Sequence, residues 1–208
     1  VEKVAETIRG IKPDLIVLTG DLVDGTVDNL KEDIAPLLNL KAEHGVFACL
    51  GNHEYYSGVF QWIEYLKAHG IKLLRNENHT VQVGAAQFSV IGVDDWRAHT
   101  VIPEHGYDLK KALEGAELAP FKLLLAHQPK GFDQAVFHGV DLQLSGHTHG
   151  GQIWPFGALV KLAQPFVKGL HRVEDSFIYV SCGTGFWGPA IRVGAPSEIT
   201  LLELNSVT

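Results

Sequence analysis

An α/β fold, with mixed sheets inside and helices outside, follows from three observations. Short continuous apolar runs alternate with amphipathic stretches between Val1 and Gly70. Beyond Thr80 strand-like runs dominate. Glycine, aspartate and histidine residues gather directly after the buried runs, where strands empty into loops.

The elements follow in order. Val1, Val4, Ala5, Ile8 and Ile11 fall at helical spacing, and Pro13-Asp14 ends that helix. Leu15-Ile16-Val17-Leu18 is apolar throughout, as strands covered on both faces are. A helix is expected from about Asn29 to Leu40, then a strand at Val46-Phe47-Ala48-Cys49-Leu50. Phe60 to His69 reads as a helix, with Phe60, Ile63 and Leu66 on one face and Gly70 as its stop. Thr80 to Val83 and Phe88 to Val93, parted by Gly84-Ala85-Ala86, predict a hairpin. Phe121 to Ala126 and Val140 to Leu144 are buried runs around a short helix near Phe132 to Phe137. Strands are expected at Phe177 to Ser181, Ala190 to Val193 and Ile199 to Leu204.

A hydrophobic content of 46% in 208 residues suits one globular domain over residues 1–208. The formal charge of −7 argues against a nucleic-acid surface, which needs clustered lysine and arginine. No apolar run approaches a membrane span, and no signal peptide is visible. Cys49 and Cys182 lie in apolar runs and read as buried small hydrophobes. No internal repeat or low-complexity linker is present.

Gly20-Asp21-Leu22-Val23-Asp24, Gly51-Asn52-His53-Glu54 and Gly146-His147-Thr148-His149-Gly150-Gly151 each follow a short apolar run. His127, in Leu124-Leu125-Ala126-His127-Gln128-Pro129, has the same setting. Metal-ligand residue types at strand ends are the pattern of an oxygen- and nitrogen-ligated metal site. In this order the blocks resemble the calcineurin-like metallophosphoesterases, hydrolases that cut phosphate esters with two metal ions. The resemblance runs over almost the whole chain. It implies a two-sheet sandwich flanked by helices in α-β-β-α layers. That family opens with an Asp-x-His motif on its first strand. None occurs before Asp21, and the chain holds no methionine. The expectation is therefore an N-terminally truncated domain with its first strand missing.

The roles that the resemblance implies have physical reasons. Two divalent metals need a bridging carboxylate, and Asp21 is the candidate, since Gly20 lets the backbone turn beneath it. Asp24 is expected to orient the loop or a ligand. Asn52 offers a neutral carbonyl oxygen to a metal, with His53 beside the cluster to contact phosphate and protonate the leaving oxygen. Taken singly, Gly-Asp is an ordinary strand-to-loop turn and Asn52 a helix cap. Glu54 fits the family sequence without an assigned chemistry. His147 and His149 lie two apart and, in extended backbone, project to one side, one histidine for each of two metals. By resemblance Asp21, Asn52, His127 and His147 complete one site, and His149 with Asp21 half-builds the other. Manganese, iron, zinc and magnesium all suit these ligands. The other histidines are expected at the surface. Asp94-Asp95-Trp96 reads as a solvated turn, although it also lies where it would edge a cleft, and Ser181-Cys182-Gly183-Thr184-Gly185 as a structural turn.

The stretch from Gln152 to Leu170 is apolar, carries Lys161 and Lys168, and has no acidic residue. Packing on the domain is the nearer expectation; meeting a lipid substrate or membrane interface, where tryptophan and lysine concentrate, is the alternative. The motifs most resemble a bacterial group of membrane-anchored or exported metallophosphoesterases, with relatives implicated in hydrolysing UDP-2,3-diacylglucosamine for lipid A. That resemblance implies a monomeric phosphodiesterase or pyrophosphatase on a lipid-linked or nucleotide-linked substrate, acting through a dimetal-bound hydroxide. Membrane association would come through a missing N-terminus or the 152–170 loop. The alternatives are a phosphomonoesterase on soluble substrates, phosphoproteins included, and a non-catalytic metal-binding interaction module.

Overall fold

The computed structural model describes residues 1–205. Its first half is helix α1 (Glu2–Ile11), strand β1 (Ile16–Leu18), α2 (Val27–Leu38), β2 (Val46–Ala48), α3 (Asn52–Tyr56), α4 (Val59–Ala68) and β3 (Lys72–Leu73). Then come β4 (Glu77–Val83), β5 (Ala86–Gly92), α5 (Leu109–Ala112), β6 (Lys122–Leu125), α6 (Phe132–Phe137) and β7 (Leu142–Ser145). The last elements are α7 (Gly157–Ala163), β8 (Gly169–Val173) and β9 (Ser176–Val180). Strands β1-β2-β3 form a parallel sheet. The other sheet runs β4-β5-β6-β7-β9-β8, parallel from β5 to β9 with an antiparallel strand at each edge.

Alternation along the strands sorts the core into three layers. Phe47 and Cys49 on one face of β2 and its continuation meet Leu123, Leu125, Leu142 and Leu144 between the sheets. Val46, Ala48 and Leu50, on the opposite face, pack under the helices with Trp62, Ile34 and Leu66. Leu124, Ala126, Ile178 and Val180 face outward to Phe132 and Ala135 of α6 and Leu109 of α5. The result is the expected α-β-β-α sandwich. Both cysteines are buried.

Several expectations need correction. Ala190 to Val193 forms no strand: Pro189 precedes it, and only Val193 makes an isolated bridge, with Ile153. Ile199 to Leu204 is also not a strand; no described strand edge pairs with it, and Ile199, Leu201 and Leu204 are exposed. Apolar content alone, without a partner edge, does not make a strand. Asp94 and Asp95 are not a solvated turn. Asp94 is buried under a bidentate contact from Arg75 at 2.8 Å, and Asp95 accepts from the Gln128 amide. Helix α7 buries none of its residues, so the 152–170 stretch does not pack on the domain throughout, although Phe166 reaches Phe132.

The sandwich brings the ends of β1 and β2 into contact through two glycines. A Cβ on Gly20, whose φ is +84°, would lie 2.8 Å from the Gly51 Cα. One on Gly51 would overlap Asp21 Oδ1 and lie 2.6 Å from the Asp21 amide nitrogen. Gly51→Ala should therefore lower stability by about 1–3 kcal/mol through overpacking. Gly10→Ala in α1, where nothing lies within 4 Å, should instead raise it by about 0.5–1 kcal/mol. Urea melts of both variants test this; equal effects would disprove the tight contact.

Candidate metal centre

Each proposed ligand stands just past a strand that the core fixes. Asp21 follows β1, Asn52 opens α3 after β2, His127 follows β6, and His147 follows β7. Asp21, His147 and His149 hold φ values of +54°, +68° and +50°, a region that costs a non-glycine residue free energy. Such strain persists where surrounding contacts over-determine the loop.

One contact does so for the first two blocks. The buried Glu54 carboxylate accepts the backbone N–H of Gly51 at 2.7 Å, Asp21 at 2.9 Å and Leu22 at 2.6 Å. Burial and the nearby Asp21 charge push the Glu54 pKa up, while the amides act in the other direction. The Asp21 carboxylate divides its oxygens: Oδ1 accepts the His53 amide at 2.9 Å, and Oδ2 faces His127 Nε2 at 2.9 Å.

His127 is buried, and its Nδ1 donates to the Thr19 carbonyl at 2.7 Å, because a carbonyl can only accept. That bond turns Nε2 into the site, where it meets Asp21 Oδ2 and, at 3.2 Å, His147 Nδ1. Burial opposes a charged His127, but the Asp21 carboxylate outweighs it and holds the pKa up at about 9. Burial would raise Asp21; the His127 charge and hydrogen bond overcome this and hold it at about 2. Burial and the His127 charge depress His147 to about 3.

The ligand atoms of Asp21, His127 and His147 lie within 4.8 Å of one another. Three electron-pair donors aimed together need a positive charge between them, a proton or a metal cation. Asn52 supplies an independent test of fit. Its Oδ1 is buried without a hydrogen-bond partner, a costly state that a cation would relieve. Asn52 is not the cap of α3, which is Gly51. The two-nitrogen, two-oxygen donor set suits a transition-metal dication.

His149 stands apart from this cluster. Its Nδ1 lies 3.3 Å from an Arg192 guanidinium nitrogen, and burial, then Arg192, lowers its pKa. His53 is partly exposed, with Nδ1 2.9 Å from Asp24 Oδ1. Asp24 thus orients His53 directly.

Four residues have roles that escaped the sequence reading. Glu54 had a signal: an acid at the third position of a helix opened by Gly51, the spacing of a capping box. Thr19 acts through its carbonyl and had none. Arg192 donates to the carbonyls of Cys182, Gly185 and Ala195, fastening the loop after β9 against His149. Gln152 donates to the Trp187 and Pro189 carbonyls and accepts the Trp187 amide.

Metal analysis of the 208-residue chain should find one tightly held divalent cation. His147→Ala and Asn52→Ala should each weaken it by about 10–100-fold or more. Two equally tight cations, or unchanged affinity in both variants, would show the cluster to be misread.

Comparison with known proteins agrees with this architecture. The calcineurin-like phosphoesterase family profile matches residues 1–151. An uncharacterized metallophosphoesterase of Helicobacter pylori is 41% identical over 98% of this chain and 54% of its own length. The transmembrane protein with metallophosphoesterase domain of Bos taurus is 39% identical over 96% of this chain and 47% of its own. The chain thus spans about half the length of these curated relatives. The 5'-nucleotidase precursor of Thermus thermophilus shares the fold at a TM-score of 0.58, with 17% identity over 88% of this chain and 42% of its own. With the family profile over nearly three quarters of its residues and relatives aligned along nearly all of this chain, the chain belongs to the calcineurin-like phosphoesterases.

Proposed function

We propose that this domain hydrolyses phosphodiesters with divalent cations, on substrates that carry an acyl chain. The convergence of Asp21, His127 and His147 carries the reading, with the unpartnered Asn52 oxygen beside it. A dication held there supplies Lewis acidity that neutralises phosphate charge and acidifies a water. His149 offers a further nitrogen toward a second cation. His53 takes the proton-transfer role: Asp24 accepts its Nδ1–H, which leaves Nε2 to face the leaving oxygen.

The acyl-chain part of the reading draws on the surface around the centre. Trp154 and Phe156 lie exposed a few residues past His149. Names also support a membrane setting, since relatives from Bos taurus and Danio rerio are called transmembrane proteins. No helix among the described residues is long and apolar enough to cross a membrane.

His53→Ala should lower bis-nitrophenyl phosphate turnover by about 10²–10⁴-fold while metal content stays near normal. Equal metal loss in His53→Ala and His147→Ala would remove His53 from its assigned role.

Replacing both Trp154 and Phe156 with serine should raise KM for an acylated diester and leave a small soluble diester nearly unchanged. Each buried methylene is worth roughly 0.8 kcal/mol, so a few lost carbons suffice. Equal effects on both substrates would sink the acyl-chain reading.

A further inference from the structure

Beside the metal centre lies an apolar face on which nothing among the described residues is packed. Trp154 is 77% exposed and Leu162 85%, with Phe156 and Leu159 also exposed. Helix α7, Gly-Ala-Leu-Val-Lys-Leu-Ala, is apolar on nearly every side and buries none of its residues. Isolated exposed leucines are ordinary, whereas a continuous apolar patch marks a contact surface.

The loop after β9 extends this patch. Trp187 and Ile191 are exposed there. The Trp154 amide donates to the Val193 carbonyl at 2.8 Å, and the Val193 amide to the Gln152 carbonyl at 2.8 Å. Through its side chain Gln152 binds Trp187 at both backbone groups. Arg192, one residue before Val193, also contacts the His149 carbonyl at 3.3 Å. The two apolar segments are therefore one fixed surface attached to the metal-centre loop.

Charge selects the occupant. From Gly150 to Val193 the cations are Lys161, Lys168, Arg172 and Arg192, and the acids Glu174 and Asp175 sit at the β8–β9 turn. Asp175 is itself paired with Arg172. The whole chain carries −7, so an anionic surface repels the rest of the molecule and attracts this region. A second copy docked symmetrically would set two copies of the same lysine-bearing face together, with Lys161 and Lys168 on both sides of the contact. Exposed tryptophans among apolar side chains, with lysines on the same segment, are the composition that settles at the headgroup level of a bilayer.

We infer that the face formed by Trp154, Phe156, α7 and the Trp187–Ile191 loop docks this domain onto an anionic phospholipid bilayer. In naming where an acylated substrate is met, the inference rests on the function proposed above; as a binding surface it stands on its own geometry. Docking through this face holds the metal-ligand loop at headgroup height, where the phosphate of a lipid-linked diester resides.

Co-sedimentation of the 208-residue chain with phosphatidylcholine vesicles, with and without phosphatidylglycerol, tests the inference. The chain should bind the mixed vesicles, and less so at high salt. Leu159→Ser with Leu162→Ser should cut binding at least about tenfold. Lys161→Glu should cut it by about fivefold, on anionic vesicles alone. Melting temperatures near that of the parent chain confirm that these exposed changes leave the fold intact. Failure of the parent chain to bind, undiminished binding by the leucine variant, or a dimer that the leucine variant dissociates would each overturn docking. Bis-nitrophenyl phosphate hydrolysis without vesicles separates the two claims. Binding without any diesterase activity defeats the proposed function and spares the docking face; activity without binding does the reverse.

Discussion

The Glu54 carboxylate is the constraint on which the rest of the centre depends. A buried carboxylate without partners is severely unfavourable, and here three backbone amides offset the loss of water. Two of those amides belong to the turn after β1 and one to the turn after β2. A single side chain thus binds together the two loops that carry Asp21 and Asn52. The Gly20–Gly51 approach lies at the same junction, and a Cβ on either residue would collide with the other loop.

From that junction the site is assembled across the sandwich. The three-stranded sheet delivers Asp21 and Asn52, and the six-stranded sheet delivers His127 and His147. Hydrogen bonds leave each inner ligand little freedom: Asp21 Oδ1 is held by an amide, and His127 Nδ1 by a carbonyl. The opposed pKa values of His127 and Asp21 express one ion pair seen from its two ends. Positive φ angles at Asp21 and His147 place those ligands where relaxed loops would not.

Much of this was legible in the sequence because the signals were local. Continuous apolar runs such as Leu15–Leu18 and Val46–Leu50 contain strands, β2 buried throughout and edge strand β1 buried only at Ile16, and the ligand types directly after them are those that converge. Short elements were less legible. Five-residue α3, two-residue β3 and four-residue α5 hold too few residues to show a period. Edge strand β8 reads Gly-Leu-His-Arg-Val and lacks alternation, since only the pairing with β9 makes it a strand. Ile199–Leu204 failed in the opposite direction, with apolar composition but no edge to join. Asp94 and Asp95 were misread because burial of an acid is decided by remote partners, Arg75 and Gln128, which neighbouring residues do not reveal. Arg192 was invisible for the same reason.

The bond from His127 to the Thr19 carbonyl has a mechanical meaning. His127 follows β6 and Thr19 follows β1, so this 2.7 Å contact spans the gap between the two sheets. Phe47, Leu125 and Leu144 fill that gap below it. The metal ligands therefore act as a caliper on the thickness of the interior. Affinity for a cation becomes a function of side-chain volume far from any ligand, and the choice of residue in the middle of the sandwich is also a choice of how tightly its rim can close.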